Sequence, residues 1–277
     1  MKPVEPILVL ELFPPLSSEL ISLLKSLQPE DWTRSTVCAP WSVKDVAAHL
    51  LDGSLGRTQT RAPLSGMPVQ PALGFDELLN QINLNNARWV QAAERISPEI
   101  LIDFLELADR ALYAHFASLN LYAPARITVA WASDELPPNW FDIAREYTEK
   151  WLHQQHIRSA LGRPLLMERR WLFPVLDTFM RAFPRAFRAV EAGPGTSISV
   201  HIAGEAGGNW SLRREDGNWQ LYSDQGPRAA CRVDIDQNLA WQLFTRGLSP
   251  QDVRDQIRIE GDASLGEHVL EMVAIMA

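Results

Sequence analysis

The feature that most constrains the fold is a change of hydrophobic period partway along the chain. From about residue 15 to 190, apolar residues recur at helical spacing, whereas residues 195–235 alternate in short runs separated by Gly, Asn and Asp. An α-helical first part followed by a small α+β part is therefore expected, because a helix face and a strand face are buried by different partners. At 277 residues the chain is long enough for two domains of ordinary size. The expected division is 1–165 and 166–277.

The helical part carries clear start and stop signals. A first helix is expected over residues 17–27, with Leu20, Ile21, Leu23, Leu24 and Leu27 on its apolar face and Pro29 after its end. A second opens with Ser42 as N-cap and Asp45 three residues later, a capping box, while Trp41 and Val46 occupy the two positions of a hydrophobic staple. A third runs from 74 or 75 to 95, and Ser97-Pro98 opens a further helical segment. It includes Asn80, Asn83, Asn85 and Asn86, poor helix formers that suit a solvated face, with a polar cavity as the alternative. A fourth long helix begins at Pro138 or Asn139 and stops at Gly162, placed as a C′ glycine, with Arg158 and Arg163 near its negative end and Pro164 beyond. A helix over 171–190, interrupted by Pro174 and Pro184, leads into the second part.

In that second part strands are expected at 197–203, 209–214, 219–223 and 231–235, with Asp216-Gly217-Asn218 as a hairpin turn. Helical runs at 237–246 and 265–276 follow. His201 and His268 lie here without a ligand partner at helical or strand spacing and read as surface or packed residues.

Two segments of the helical part carry chemistry. Glu149 and His153 stand four residues apart, so both side chains leave one helix face a turn apart and can hold one ion. His49 lies two turns into the capped helix, beside Val46 and Leu50, and faces the interior. Two imidazoles and a carboxylate form a divalent-metal ligand set with a position left open. His156 shares the face of Glu149 and His153, and Glu146 lies near its edge, so both are placed beside the ligands as supporting or catalytic groups. A Glu and a His at i and i+4 are most often a surface pair, and it is His49 on a separate helix that raises the case for a metal.

Composition removes several functions. The formal charge of −8 and the acidic pI of about 5.3 leave no basic footprint for nucleic acid or an anionic membrane surface. The two cysteines, Cys38 and Cys231, have no paired spacing, which suits a reducing cytoplasm and excludes a thiolate metal site. The N-terminus has no signal-peptide pattern and no run of about 18 apolar residues occurs, so a cytoplasmic chain without a membrane segment is expected.

Three stretches then point to a family. Trp41-Ser-Val-Lys-Asp-Val-Ala-Ala-His49-Leu50, Asn86-Ala-Arg-Trp-Val90 and Glu149-Lys-Trp-Leu-His153-Gln-Gln-His156-Ile-Arg-Ser-Ala-Leu-Gly162 together resemble the mycothiol-dependent maleylpyruvate isomerase family. Its members are DinB-like metal-binding four-helix bundles, a group that also includes bacillithiol and related thiol transferases. The resemblance covers residues from about 16 to 164. It implies a metal triad on His49, Glu149 and His153, a divalent ion such as Zn²⁺ or, in recombinant protein, Ni²⁺, and a low-molecular-weight thiol such as mycothiol or bacillithiol. The run from Trp241 through Gly261-Asp262 onward resembles the sterol-carrier-like domain that often follows the bundle. Many relatives carry an acidic residue where His156 stands, so the surroundings of the ligands differ here.

The implied activity is a metal-dependent, thiol-using isomerase or transferase acting on a small electrophilic, carboxylated substrate. Arg57, Arg61, Asn86 and Arg88 are the candidates to hold that carboxylate, since guanidinium and carboxylate pair bidentately, although surface positions are the commoner place for such residues. Two other readings stand beside this one. The first is a noncatalytic small-molecule or lipid carrier working through the second domain; the second is a metal-dependent hydrolase. A monomer or a homodimer fits any of the three.

Overall fold

The computed structural model describes residues 1–58, 75–133, 135–224, 226 and 228–274. Among these it has ten α-helices and one five-stranded sheet. They form two compact units that do not follow chain order: Leu10–Asn120 with Glu149–Leu165, and Met1–Val9 with Leu121–Thr148 and Leu166–Ala277.

The first unit is helical. It holds α1 (Phe13–Lys25), α2 (Val43–Thr58), α3 (Phe75–Ala93), α4 (Pro98–Ala117) and the C-terminal part of α5 (Asn139–Ala160). Helix α1 begins a turn earlier than residue 17, because Pro14 and Pro15 fall in a first turn, where a fixed φ helps and a missing N–H costs nothing. Helix α2 is capped as its sequence requires: the Ser42 N–H donates to the Asp45 carboxylate at 2.9 Å and the Asp45 N–H donates to Ser42 Oγ at 3.3 Å. Val46 is buried, and Trp41 packs against the same core, which Leu24, Leu50, Leu101, Leu105 and Ile157 extend across the unit. Asn80, Asn83 and Asn85 are exposed on α3, the solvated placement. At the end of α5, Gly162 takes φ of +63°, the Arg163 N–H donates to the Arg158 carbonyl at 2.8 Å, and the Gly162 N–H donates to the Ser159 carbonyl at 3.1 Å. This is a Schellman closure, and only a residue without Cβ adopts that φ without strain.

The second unit is mixed. Its helices are α6 (Arg169–Met180), α7 (Phe183–Ala186), α8 (Gln237–Phe244), α9 (Pro250–Val253) and α10 (Ala263–Leu270). The helix expected over 171–190 is thus divided, with Pro174 accommodated inside α6 and Pro184 in the first turn of α7. The strands are β1 (Ser197–Ala203), β2 (Gly208–Glu215), β3 (Asn218–Tyr222), β4 (Cys231–Asp236) and β5 (Arg258–Gly261), in the order β3-β2-β1-β4-β5. All pairings are antiparallel except β1 with β4. Glu215 pairs with Asn218, so the hairpin loop is Asp216-Gly217, at φ of 45° and 82°, the two left-handed positions of a type I′ turn. Strand β5 was not among the expected strands, since its four residues bury too little to show an alternating pattern. Helix α10 ends earlier than the expected 276, and residues 275–277 lie outside the described residues. Helices α8 and α10 pack on β4, with α8 also reaching β1 and α10 reaching β5. Leu121–Thr148 is closed on itself by the Trp140 N–H, which donates to the Leu121 carbonyl at 2.9 Å, and is tied to the rest of this unit by the Tyr147 hydroxyl, which donates to the Trp171 carbonyl at 3.1 Å. No helix of the described residues is long and apolar enough to cross a membrane.

Candidate metal centre

Five side chains converge inside the helical unit: Cys38 from the loop before α2, His49 from α2, and Glu149, His153 and His156 from α5. The one-turn spacing of Glu149 and His153 sets their contact, with 3.6 Å between His153 Nε2 and Glu149 Oε2. The His49 and His153 rings meet edge to face at 4.8 Å between centroids, and His153 meets His156 at 5.3 Å. One donor atom from each of His49, Glu149 and His153 lies within 4.8 Å of the others, and the same holds for Cys38, His153 and His156. Metal–ligand bonds of about 2.1 Å at tetrahedral angles put ligands about 3.4 Å apart, so small side-chain rotations would bring either group onto an ion. The Trp41 ring lies 5.1 Å from that of His49 and covers one side of it.

The three imidazoles respond differently to this crowding. Burial lowers His49 to about 4, helped by the charge of His153. Burial and the same charge lower His156 to about 3. His153 is buried as well, which works against its charged form, yet the Cys38 thiol and the Glu149 carboxylate raise it to about 9. These neighbours favour a proton on His153 over one on His49 or His156. A divalent cation brings its own charge and would displace that proton, which is the usual coupling of metal binding to proton release. His49 Nδ1 and His153 Nδ1 are buried without a hydrogen-bond partner among the described residues, each at a cost of about 1–3 kcal/mol if left so. Donor types, spacing and these two orphaned nitrogens all fit a metal ion.

Cys38 is a donor that sequence spacing does not reveal. Unpaired cysteines argue against a thiolate metal site, yet folding brings Cys38 Sγ to 3.0 Å from His156 Nδ1, a contact made across 118 residues. Motif spacing detects ligands close in sequence, and this one is supplied by tertiary folding. Glu146 is buried and accepts a hydrogen bond from Arg145 at 3.1 Å; it belongs to neither donor group. The Arg57 guanidinium lies 5.7 Å from the centre of the Phe116 ring, Asn86 is half-buried and Arg88 exposed, while Arg61 lies outside the described residues. In the second unit His201 bonds Asn209 at 2.8 Å and His268 bonds the Ala186 carbonyl at 2.8 Å, the packed roles expected of them.

A second polar cluster was not visible in the sequence. Lys150 and Asp109 are buried and paired at 2.7 Å, and they help line a cavity of about 710 Å³ with Phe13, Ser17, Ile21 and Tyr113. None of the five converging residues lines this cavity.

The model of the mycothiol maleylpyruvate isomerase N-terminal domain family matches residues 13–158. Among solved structures, a crystal structure of the mycothiol-dependent maleylpyruvate isomerase is similar at 11% identity and a TM-score of 0.51, over 86% of this chain and 88% of that one, a likeness of fold. A histidine-to-alanine variant of that isomerase aligns at 12% identity and a TM-score of 0.46 over the same shares of the two chains. A ubiquinone synthesis protein aligns with 36% of this chain and 83% of its own at 17% identity and a TM-score of 0.26. No curated protein matches the chain.

Proposed function

This chain belongs to the mycothiol maleylpyruvate isomerase N-terminal domain family, and from that premise we propose that it is a metal-dependent enzyme using a low-molecular-weight thiol. Its reaction in this reading isomerises a small carboxylated electrophile, or leaves the thiol attached to it. The observation that carries the reading is the convergence of His49, Glu149 and His153 on one point.

In this reading those three residues hold a divalent ion, Zn²⁺ or, where it is supplied, Ni²⁺, both suited by imidazole and carboxylate. Such an ion, when bound, supplies a Lewis-acidic open position that lowers the pKa of a thiol toward neutrality. Burial keeps His49 neutral and so ready to ligate. Glu149 brings the one carboxylate of the set and stands against His153 Nε2, orienting that ring. Trp41 shields His49 from water on one side. The thiol, mycothiol or bacillithiol by family analogy, adds to a conjugated double bond; rotation about the resulting single bond and expulsion of the thiol complete an isomerisation with no net change of atoms. In a transfer the carbon–sulfur bond is kept. Arg57, Arg61, Asn86 and Arg88 are proposed to hold the substrate carboxylate, and His156 and Glu146 to orient groups or move protons beside the ligands. The helical unit is proposed to be a DinB-like four-helix bundle and the mixed unit a sterol-carrier-like domain, in a cytoplasmic protein.

Purification without chelators, followed by metal analysis, should give one equivalent of divalent metal. His153→Ala should abolish it, and the metal-loaded protein should bind a biological thiol. Full occupancy in both His49→Ala and His153→Ala would overturn the reading, while tight lipid binding with no response to any thiol would favour a carrier.

A further inference from the structure

The triad leaves unused a second set of donors. Cys38, His153 and His156 each offer a ligand atom within 4.8 Å of the others, and Sγ lies 3.0 Å from His156 Nδ1. His153 belongs to both sets; it is 6% exposed, its Nε2 faces Glu149, and its Nδ1 has no hydrogen-bond partner among the described residues. His156 is buried to 5% on the same helix face.

The thiol is held in place by a bonded turn. Thr36 Oγ1 accepts the Cys38 N–H at 3.2 Å, the Trp41 N–H donates to the Cys38 carbonyl at 2.9 Å, and the Thr36 N–H donates to the Trp41 carbonyl at 3.0 Å. The turn runs directly into the capping box of α2, so Cys38 sits on a scaffold that the helix start itself fixes. A sulfur and two imidazoles held in this way make a softer set than the carboxylate triad and suit Zn²⁺ or Co²⁺.

We propose that Cys38, His153 and His156 form a second, thiolate-containing cation site that competes with His49 and Glu149 for the shared His153. One neutral imidazole does not serve two ions at once, so the two sets are alternative seats for a single ion. The cysteine sulfur then takes the kind of position that the proposed function gives to an external thiol, and the chain keeps its ion when no such thiol is present. The site itself needs only the donors described here; its link to an external thiol rests on the proposed function.

The test uses Co²⁺ as the probe in the full-length chain, read by its electronic spectrum. Thiolate ligation gives a near-ultraviolet sulfur-to-cobalt charge-transfer band. The wild-type chain should show that band at one equivalent of cobalt. Cys38→Ser should lose it while still binding cobalt through the triad, His49→Ala should keep it, and His153→Ala should lose band and binding together. Cobalt bound by the wild type without a sulfur band would overturn the proposal with no variant needed, as would a band that persists in Cys38→Ser, which would then come from Cys231. Failure of the triad reads differently: the wild type would keep its band, while Cys38→Ser, left with only His49, Glu149 and His153, would bind no cobalt. A wild-type chain that binds no cobalt would overturn both.

Discussion

Beside Glu149 in the chain, Lys150 buries its ammonium and donates to Asp109 Oδ1 and Ser54 Oγ, each at 2.7 Å, while Ser17 Oγ donates to Asp109 Oδ2 at 2.6 Å. Burial works against the Asp109 carboxylate, yet the Lys150 charge and three hydrogen bonds hold it below its ordinary value of 3.8. A carboxyl whose folded pKa is depressed contributes stability above its unfolded value and loses it as pH falls through the folded one. Asp109→Ala should therefore cost about 3–5 kcal/mol at pH 7, because it strands a buried ammonium. Urea unfolding followed by circular dichroism should show this gap to the wild type narrowing as pH falls below about 4, where the wild-type carboxyl also protonates; a gap that does not change with pH would refute the ionised pair. His156 makes a different point. Outside the triad but touching Cys38, its loss should weaken metal binding about 10-fold to 100-fold without abolishing it, as read from a competition titration. Complete loss in His156→Ala alone would show that the triad contains the wrong imidazole.

At the scale of elements, the helices that carry the donors are fixed by their ends. The capping box on α2 sets where His49 falls along the helix, and the Schellman closure on α5 ends the helix just past His156. Ser42→Ala should cost about 1 kcal/mol in a denaturant titration, the usual worth of an N-cap. Gly162→Ala should cost a similar amount, because a Cβ is strained at φ of +63° while no neighbouring atom crowds it. Equal stability of the alanine variant would mean that the backbone relaxes out of the left-handed region. Helix α5 was legible at both ends yet not in its interior. Lys150, His153, Gln154, Gln155 and His156 are all buried, so polar groups surround the axis and no apolar stripe marks its inner face.

For the whole molecule, we propose that 1–165 forms a metal-binding helical half and 166–277 an α+β half. All five donors lie before residue 165, whereas Leu121–Thr148 packs in the same unit as Leu166–Ala277. A fragment ending at Pro164 should therefore keep its metal by metal analysis but melt at lower temperature than the full chain, since it loses partners such as Trp171 for Tyr147; a helical fragment that binds no metal would refute the assignment. By itself the sequence determined what local chemistry dictates: the capped start of α2, the glycine end of α5, the Asp216-Gly217 hairpin, and the i, i+4 pairing of Glu149 with His153. Propensity, capping and turn geometry act within a few residues and leave their marks there. Tertiary structure alone decided that His49 meets His153, that Cys38 reaches His156, and that Asp109 neutralises Lys150. Each of those contacts joins residues 41 to 118 positions apart, and distances of that kind are set by how whole helices pack.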